Sequence, residues 1–546
     1  MELTRRDLLA AFLGLPAALT AGCSRSVPRL PPEGSIVGAS AAIGHRLRDG
    51  FRPLPAADRW QPVGVVIVGA GVAGLSAAWR LRRAGFDDFV LLELEPVAGG
   101  TSQSGNLAGI ACPWGAHYLP APLRENRALI ILLDELGVLD GRDAGDEPVV
   151  VEQFLCRDPQ ERLFIDGLWQ EGLRPATGQS AADQRDWDAF QAHIDQWVAW
   201  RDARGRRAFS IPLSAGSDDA EVAALDRLSM ADWLSQQDLK SARLRWLVDY
   251  ACRDDFGLSI EQTSAWAGLF YFASRVRSPG AEAQPLVTWP EGNGRLVDHL
   301  CAPIVDKMRV GWAVFEIVPV AGEAPGVDVV AVSRGGNDVL GFHAQHAIFC
   351  APHFLAPHLI RGFKEQRGTD AAEFEYGSWL VANLLLRDRP VETGFPLAWD
   401  NVLYESPSLG YVAATHQQGI DRGPTVFTYY YPFCDDDPRA ARERLSSLDW
   451  NGCAEIVLAD LERAHPDIRG LVARLDVMRW GHAMIRPRPG FLWGGARIRE
   501  SHPFGPVHFA NTDLSGLALF EEAFYHGLRA AEEILRAAGR DFESLL

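Results

Sequence analysis

The stretch from residue 65 to residue 100 constrains the fold more than any other part of the chain. Its apolar run VVIVGAG predicts a strand that is buried on both faces of a parallel sheet. Gly69, Gly71 and Gly74 follow at G-x-G-x-x-G spacing, and LSAAWRLRRAG then continues as an amphipathic helix. A strand, a glycine turn and a helix in this order predict an α/β fold whose Rossmann-like sheet binds a dinucleotide.

Each glycine of this turn has a separate mechanical role. Gly69 makes the tight turn, Gly71 lets the backbone approach a pyrophosphate, and Gly74 lets the helix pack closely on the strand. A second predicted strand, DFVLLE, ends at Glu93, whose carboxylate is placed to accept hydrogen bonds from ribose hydroxyls. Its charge disfavours the additional phosphate of NADP. Glu95 is the alternative acid and is expected to face solvent.

The length and charge of the chain exclude some classes of function. At 546 residues the chain is long for a single core, so a second domain is expected. The formal net charge of -18 argues against a nucleic-acid partner and leaves room for a cationic substrate. The eight cysteines show no CxxC spacing, so the sequence predicts no metal site.

The segment after the second strand resembles flavoprotein oxidoreductases. In LELEPVAGGTSQSG an acidic residue precedes Gly99 and Gly100, a pair that in those proteins lies against the cofactor phosphates. Thr101 stands where relatives often carry arginine. The next segment, CPWGAHYLP, resembles the part that runs along the flavin ring. Three of its residues are implied to lie nearest the ring: Gly115, Ala116 and His117. The resemblance implies FAD as the cofactor rather than NAD.

The carboxyl-terminal end resembles the closing motif of the flavin-containing amine oxidase and phytoene desaturase superfamily. In GPVHFANTDLSGLALFEEAFYHG the resemblance assigns Asp513 to the ribityl or pyrophosphate part of the cofactor. It assigns Leu519 and Phe520 to the pyrimidine end of the flavin. The earlier segment LVTWPEGNGRLVDHLCAPIVDKMRVGWAVFEIVP resembles the return of this family to its nucleotide domain, where Val314 would lie beside adenine.

The opening and closing nucleotide motifs lie far apart, so the FAD-binding domain is expected to be discontinuous, with an inserted α+β substrate domain. The first two predicted segments are a signal over residues 1–23 and a linker over 24–62. The FAD-binding domain is predicted over 63–124, 286–352 and 491–546. A largely helical insertion is predicted over 125–285, and the sheet of the substrate domain over 353–490.

The first residues, MELTRRDLLAAFLGLPAALTAGC, predict an export signal. Arg5 and Arg6 resemble a twin-arginine signal, which implies that the export machinery for folded, cofactor-loaded proteins is a partner. The AGC tripeptide resembles a lipoprotein cleavage site, and two outcomes stay open: a lipid tether through Cys23, or no tether. The predicted location is periplasmic, or anchored to the membrane and facing the periplasm.

Few catalytic side chains are expected, because the cofactor carries the chemistry. Amine-oxidising relatives usually have a lysine near the flavin, and none of the three lysines stands in a matching segment. In MRWGHAMIRPRPG, just before the closing motif, Trp480 is a candidate aromatic wall of the cavity and His482 a candidate general base. Arg253, Asp254 and Asp255 are interpreted as a salt-bridged helix end in preference to charged groups of a cleft.

Together these features predict an exported, FAD-dependent, amine oxidase-like oxidoreductase with a small-molecule substrate. It is expected to oxidise a C–N bond, in an amine or polyamine, by hydride transfer to flavin N5. Two alternatives are kept. One is a FAD-dependent desaturase or isomerase of a hydrophobic substrate, which the missing lysine and the aromatic content favour. The other is a binding protein that FAD stabilises without turnover.

Overall fold

The computed structural model describes residues 33–38, 41–322, 325–434 and 437–546. The strands are β1 (Ile36–Val37), β2 (Trp60–Val68), β3 (Phe89–Glu93), β4 (Ser104–Leu107), β5 (Ile110–Pro113), β6 (Tyr118–Pro120), β7 (Leu139–Arg142), β8 (Pro148–Val150), β9 (Glu161–Ile165), β10 (Leu168–Glu171), β11 (Leu286–Thr288), β12 (Met308–Val310), β13 (Trp312–Val320), β14 (Gly326–Ser333), β15 (Val339–Phe349), β16 (Tyr376–Leu386), β17 (Asp400–Leu403), β18 (Tyr411–Ala413), β19 (Thr425–Pro432), β20 (Val472–Ile485) and β21 (Val507–Phe509).

The helices are α1 (Ala41–Arg48), α2 (Val72–Arg83), α3 (Arg127–Glu135), α4 (Ala181–Ala199), α5 (Ala220–Ala224), α6 (Met230–Gln236), α7 (Ala242–Phe256), α8 (Ala265–Ala273), α9 (Gly294–Cys301), α10 (Ala356–Leu359), α11 (Phe363–Ala371), α12 (Pro438–Ser447), α13 (Trp450–Leu461), α14 (Ile468–Leu471), α15 (Ala496–Glu500) and α16 (Phe520–Ala537). Within the described residues, none of these helices combines the length and the apolar character that spanning a membrane requires.

The first sheet, here called the nucleotide sheet, has the strand order β12-β3-β2-β15-β14-β13, with β21 also paired to β15. Strands β12, β3, β2, β15 and β21 run parallel, and β13 and β14 add an antiparallel extension. The four residues 65–68 of β2 are at most 5% exposed, as an apolar run covered on both faces should be. The chain reaches this sheet three times, from segments that are far apart in sequence.

Helices α2 and α16, one near each end of the described chain, pack against each other beside the nucleotide sheet. A Cβ at Gly527 of α16 would lie 2.3 Å from the carbonyl oxygen of Ala73, so only glycine allows this approach. The guanidinium of Arg80 on α2 donates to Glu532 on α16 at 3.0 Å, and both side chains are fully buried. The two ends of the sequence therefore complete one core.

The second sheet, here called the substrate sheet, has eight strands in the order β1-β20-β16-β19-β18-β17-β9-β10. Strands β16 to β20 come from the region predicted to supply this sheet, but β9 and β10 come from the insertion predicted to be largely helical. Helices α4 to α8 of that insertion form a separate helical core. The substrate sheet thus combines both insertions, because β9 pairs in parallel with β17, which follows it by more than two hundred residues.

The predicted linker over residues 24–62 is wrong in its described part. Residues 36–37 form β1, residues 41–48 form α1, a 3-10 turn covers Ala57–Arg59, and β2 already begins at Trp60. The Pro-rich run that suggested a linker ends at Pro32, and the short elements after it acquire their order from partners distant in sequence. The predicted export signal, with Arg5, Arg6 and Cys23, lies outside the described residues.

Candidate active site

A cavity of about 540 Å³ is lined by residues of both sheets. This volume lies within the range of roughly 300–1,000 Å³ that is usual for small-molecule and cofactor sites. Every predicted cofactor residue except Gly74 lines it: Gly69, Gly71, Glu93, Gly99, Gly100, Thr101, Gly115, Ala116, His117, Val314, Asp513, Leu519 and Phe520. Trp480 and His482 line the same cavity.

The three glycines of the first turn differ in their surroundings. Gly69 has a φ of +100°, a left-handed conformation that favours glycine. A Cβ at Gly71 would meet no atom within 4 Å and would project into the space of the cavity. A Cβ at Gly74 would lie 1.9 Å from the carbonyl oxygen of Gly69, so this glycine sets the packing of α2 and does not line the cavity.

Glu93 ends β3 beside this turn, and the backbone fixes its carboxyl group. The N–H of Ala70 donates to Oε2 at 2.7 Å, and the N–H of Glu95 donates to Oε1 at 2.8 Å. Burial raises the pKa of Glu93, although these two hydrogen bonds oppose the rise. A carboxyl group held in this way has lone pairs left to accept further hydrogen bonds from a ligand in the cavity.

Two further loops meet at the glycine turn. The N–H of Gly99, whose φ is +115°, donates to the carbonyl of Ala70 at 2.8 Å. The N–H of Ala116 donates to the carbonyl of Thr101 at 2.9 Å. A Cβ at Gly115 would lie 2.2 Å from that same carbonyl oxygen, so the crossing of the two loops requires glycine. Backbone rather than side chains therefore lines this part of the cavity.

Asp513 belongs to the closing motif, and two hydrogen bonds hold its carboxyl group in place. Its Oδ2 accepts from the hydroxyl of Tyr376 at 2.6 Å and from the N–H of His353 at 2.8 Å. Burial raises its pKa. Leu519 and Phe520 follow at the first turn of α16. The closing motif thereby brings one carboxyl group and one helix start to the cavity.

Two buried amide oxygens of the cavity wall lack hydrogen-bond donors among the described residues. Oδ1 of Asn293 and Oδ1 of Asn511 have no hydrogen-bond partner within the described protein, although both residues are buried and line the cavity. Buried acceptors without partners are uncommon and indicate a missing donor. Together with the space at Gly71 and the fixed carboxyl of Glu93, they fit a dinucleotide with hydroxyl groups to donate.

Trp480 and His482 are two residues apart on β20, so both side chains lie on the same face of the strand and line the cavity. Trp480 Nε1 donates to the carbonyl of Trp114 at 2.8 Å, which fixes the indole against the predicted flavin segment. The ring of His482 stacks on Phe354, with centroids 4.1 Å apart. Burial by the surrounding protein and the positive charge of Arg442 together lower its pKa to about 4. His482 is therefore neutral at physiological pH.

The cavity also contains carboxyl groups that no basic side chain neutralises. Asp254 of α7 and Asp400 of β17 line the cavity wall, and within the described residues neither has a Lys, Arg or His at ion-pair distance. Tyr118 donates to Asp254 at 3.4 Å, and Tyr250 donates to Asp400 at 3.1 Å. Burial raises the pKa of Asp254 to about 7 and the pKa of Asp400 well above its ordinary value.

The neighbouring Asp255 does form the predicted salt bridge. Its two oxygens accept from Nη2 of Arg275 at 2.9 and 2.6 Å, and both residues are buried. Arg253 pairs with Asp249 of the same helix at 2.8 Å. The interpretation of this run as a salt-bridged helix end thus holds for two of its three residues, while Asp254 faces the cavity.

Aromatic rings surround these carboxyl groups. Tyr118, Tyr250, Trp379 and Tyr430 line the cavity. His117 stacks on Tyr430 at 4.9 Å, and the Tyr430 hydroxyl donates to the carbonyl of Gly115 at 2.9 Å. Burial lowers the pKa of His117 to about 4, so this ring too is neutral. The result is an aromatic chamber whose polar groups include these carboxyls, the tyrosine hydroxyls and the guanidinium of Arg275, which is paired with Asp255.

The sequence analysis did not identify Asp400 or Tyr376 as site residues. It interpreted Asp254 as part of a salt-bridged helix end rather than as a group of the cavity. No local signal identifies Asp400, which begins a short strand and is positioned at the cavity by the pairing of β17 with both β9 and β18. Tyr376 begins β16 and is recognised as important only once Asp513 is beside it. None of the three lysines lines the cavity in the part of the chain that the structure describes.

The sequence matches a known protein family and resembles several curated proteins. Residues 72–535 match the family described as flavin containing amine oxidoreductase. A Baeyer-Villiger monooxygenase of Pseudomonas aeruginosa is 26% identical over 202 residues, 35% of this chain and 34% of that protein. AofH of Mycobacterium tuberculosis, assigned as a flavin-containing monoamine oxidase, is 29% identical over 206 residues, 35% of this chain and 38% of that protein. The chain therefore spans little more than a third of the length of these curated relatives.

Solved structures resemble the whole fold. Putrescine oxidase bound to putrescine has a TM-score of 0.63 and 18% identity, covering 87% of this chain and 100% of that one. Cyclohexylamine oxidase from Brevibacterium oxydans has a TM-score of 0.59 and 18% identity, covering 88% and 100%. The likeness confirms the predicted Rossmann-like FAD-binding domain with a substrate domain. With the family match over residues 72–535, it establishes that the chain belongs to the flavin containing amine oxidoreductases and is a FAD-dependent oxidoreductase.

Proposed function

We propose that the chain oxidises the C–N bond of an amine. When bound, FAD supplies the electron acceptor, taking a hydride at N5 of the flavin. The observation that carries the proposal is the pair of carboxyl groups Asp254 and Asp400, which line the cavity and form no ion pair within the described residues, since the nearby Arg275 is paired with Asp255. A substrate that brings a positive charge into the cavity supplies that partner.

A protonated amine compensates these carboxyl groups better than a neutral substrate does. Burial raises their pKa values because the charged form loses its hydration, and acidic neighbours raise them further; Arg275 offsets this only in part at Asp254. An ammonium group restores the ionised form and donates charge-assisted hydrogen bonds, each contributing roughly 1.5–3 kcal/mol. A polyene would leave both carboxyls without a partner. The surrounding rings of Tyr118, Trp379 and Tyr430 also suit an amine, because a cation is attracted to aromatic faces.

Oxidation also requires a proton acceptor, since the amine must lose its proton before its lone pair can stabilise the developing iminium ion. Asp254, whose pKa burial raises to about 7, can accept that proton near neutral pH. His482, with a pKa of about 4, is a much weaker base. We therefore assign proton acceptance to Asp254 and keep His482 as the competing candidate, with Trp480 as an aromatic wall beside the flavin.

The experiment is anaerobic mixing of the FAD-loaded protein with amines, while the visible absorbance of oxidised flavin is recorded. Benzylamine and putrescine represent a monoamine and a diamine, and a polyene in detergent represents the hydrophobic alternative. Bleaching by an amine supports the proposal. Bleaching by the polyene alone would favour a desaturase, and absence of reduction by every donor would favour a binding protein.

A pair of isosteric variants sharpens this test. Asp400→Asn keeps the shape of the side chain and removes its charge, so the amine concentration for half-maximal reduction rate should rise roughly tenfold or more. Glu282→Gln removes an exposed carboxylate that does not line the cavity, and it should change nothing. Equal behaviour of the two variants would contradict the proposed role of the buried carboxyl.

We further propose that the protein is exported folded through the twin-arginine machinery and works in the periplasm, free or tethered through Cys23. Support comes from the sequence of residues 1–23 alone. The proposal is tested by the fractionation experiments described in the Discussion.

A further inference from the structure

The described residues 33–38 and 41–52, here called the strap, belong to the region that was expected to be a linker. Three of them, Ile43, Gly44 and Leu47 of α1, line the same cavity as Glu93 and Val314. The strap is therefore part of the wall of the cofactor site.

Contacts of α1 identify the part of the cavity that it covers. Ile43 and Leu47 pack in one apolar cluster with Phe51, Leu94, Ala313 and Phe315. Glu93, placed for the ribose, directly precedes one member of this cluster, and Val314, placed beside adenine, lies between two of them. The helix α1 thus lies beside the residues that are predicted to contact the adenosine half of FAD.

The residues after α1 hold it in place. The ring of Phe51 contacts Phe315 of β13 edge to face, with centroids 5.3 Å apart. The guanidinium carbon of Arg46 lies 4.0 Å above the Phe51 ring. Arg52 donates to the carbonyls of Leu47 and Phe51 at 3.1 and 3.0 Å, which ties the end of the helix to the following turn. The contact with the nucleotide sheet is therefore specific.

The other end of the strap is anchored on the substrate sheet. β1 is the edge strand of this sheet and pairs in parallel with β20, aligning Ile36 with Val477. The N–H and hydroxyl of Ser35 both donate to Asp476, at 3.0 and 3.2 Å. A Cβ at Gly34 would lie 1.8 Å from the carbonyl oxygen of Leu475, so the backbones of these two segments are in direct contact. The strap therefore connects the substrate sheet to the adenosine end of the nucleotide sheet.

We propose that the strap closes the adenosine end of the FAD site and limits the rate at which FAD leaves. Release of the cofactor requires α1 to move off its apolar contacts, and the pairing of β1 with β20 resists that movement. A short segment with few buried contacts opens locally without global unfolding, so its stability sets the release rate. This inference depends on FAD being the cofactor and is independent of the identity of the substrate.

The test uses the double variant Ile43→Ser/Leu47→Ser, which keeps α1 but removes its apolar contacts with the cavity. The dissociation constant and release rate of FAD are measured on the full chain by the change in flavin fluorescence. Both should increase roughly tenfold or more, because two partly buried apolar side chains are lost. Unchanged FAD binding and release would overturn the proposal. His45→Ser, an exposed position of the same helix outside the cavity, serves as the matched control and should leave both values unchanged.

A second ligand separates a local effect from general destabilisation. FMN has the flavin but lacks the adenosine half, so the double variant should bind FMN as the unmodified protein does. A loss of FMN affinity by the same factor would show that the whole site has been disturbed, and would also overturn the proposal.

A variant at the opposite end of the strap gives an independent check. Gly34→Val places atoms against the backbone of β20 and should detach β1 while leaving every residue of the cavity unchanged. FAD release should again accelerate, and FMN binding should stay constant. An unaltered FAD release rate in this variant would mean that the anchor on the substrate sheet does not retain the cofactor.

Discussion

Asp254→Asn should reduce the dependence of cation binding on pH, while the carboxyl of Asp400 remains in the cavity. The permanently charged choline and its neutral carbon isostere 3,3-dimethylbutan-1-ol have the same shape, so the pair reports on charge alone. Neither ligand titrates in the range of interest. Each is measured as an inhibitor of the oxidation of a substrate amine, in the unmodified protein and in the variant, between pH 5 and pH 8.

The magnitude follows from the surroundings of Asp254. Two unit charges about 4 Å apart attract by about 4 kcal/mol at an effective dielectric constant of about 20. Because Asp254 borders an open cavity, solvent reduces this value, and we take about 2.7 kcal/mol, roughly a hundredfold in affinity. Burial raises the pKa of Asp254 to about 7, so the carboxyl is neutral below that pH and resembles asparagine.

Cation binding favours the ionised carboxyl, so the affinity advantage of the unmodified protein increases with pH. With a hundredfold coupling and a pKa raised to about 7, that advantage is small at pH 5 and grows by roughly tenfold or more toward pH 8. The neutral isostere should show no difference at any pH. A ratio for choline that does not change with pH, or an equal loss for the neutral ligand, would refute the argument.

The other predictions concern the cofactor, the competing base and export. Gly71→Val should yield colourless protein, because a branched side chain would fill the space for the pyrophosphate; retained flavin absorbance would contradict this. FAD is expected to be held without a covalent bond, so acid precipitation should leave the yellow colour in solution. His482→Asn should slow anaerobic flavin reduction by less than about tenfold, because its pKa of about 4 makes it a weak base, whereas a loss of about a hundredfold would establish it as the base. Replacing both Arg5 and Arg6 with lysine should leave loaded protein in the cytoplasm, and Cys23→Ala should release a tethered protein from the membrane fraction; unchanged fractionation would refute each.

The nucleotide half of the cavity could be predicted because its requirements are written in short contiguous motifs. A positive φ at Gly69, free space at Gly71 and a carboxylate at the end of β3 are each needed within one local turn. Such geometry restricts the residue type directly. The resemblance to flavoproteins then extended the prediction to Asp513, which the structure places in the same cavity.

The substrate half could not be predicted in the same way. Asp254, Asp400 and Tyr430 come from three distant segments, and each residue by itself is unremarkable for a helix end or a strand. The pairing of β17 with β18 and of β18 with β19 brings Asp400 and Tyr430 to one wall, and helix α7 adds Asp254 to the same cavity. The strap was missed for a related reason, since a strand of two residues carries no periodic pattern and exists only because β20 offers a free edge.

The packing of α2 against α16 has a consequence for the order of events during synthesis. Arg80 emerges from the ribosome long before its buried partner Glu532, and β21 and Asp513 also belong to the last part of the chain. At about 5–20 residues per second, roughly 20–90 seconds separate the translation of Gly69 from that of Asp513. During that interval the glycine turn and Glu93 have neither helix α16 nor the carboxyl group of Asp513 beside them. Cofactor capture is therefore a post-translational event, and a truncated nascent chain should not retain FAD.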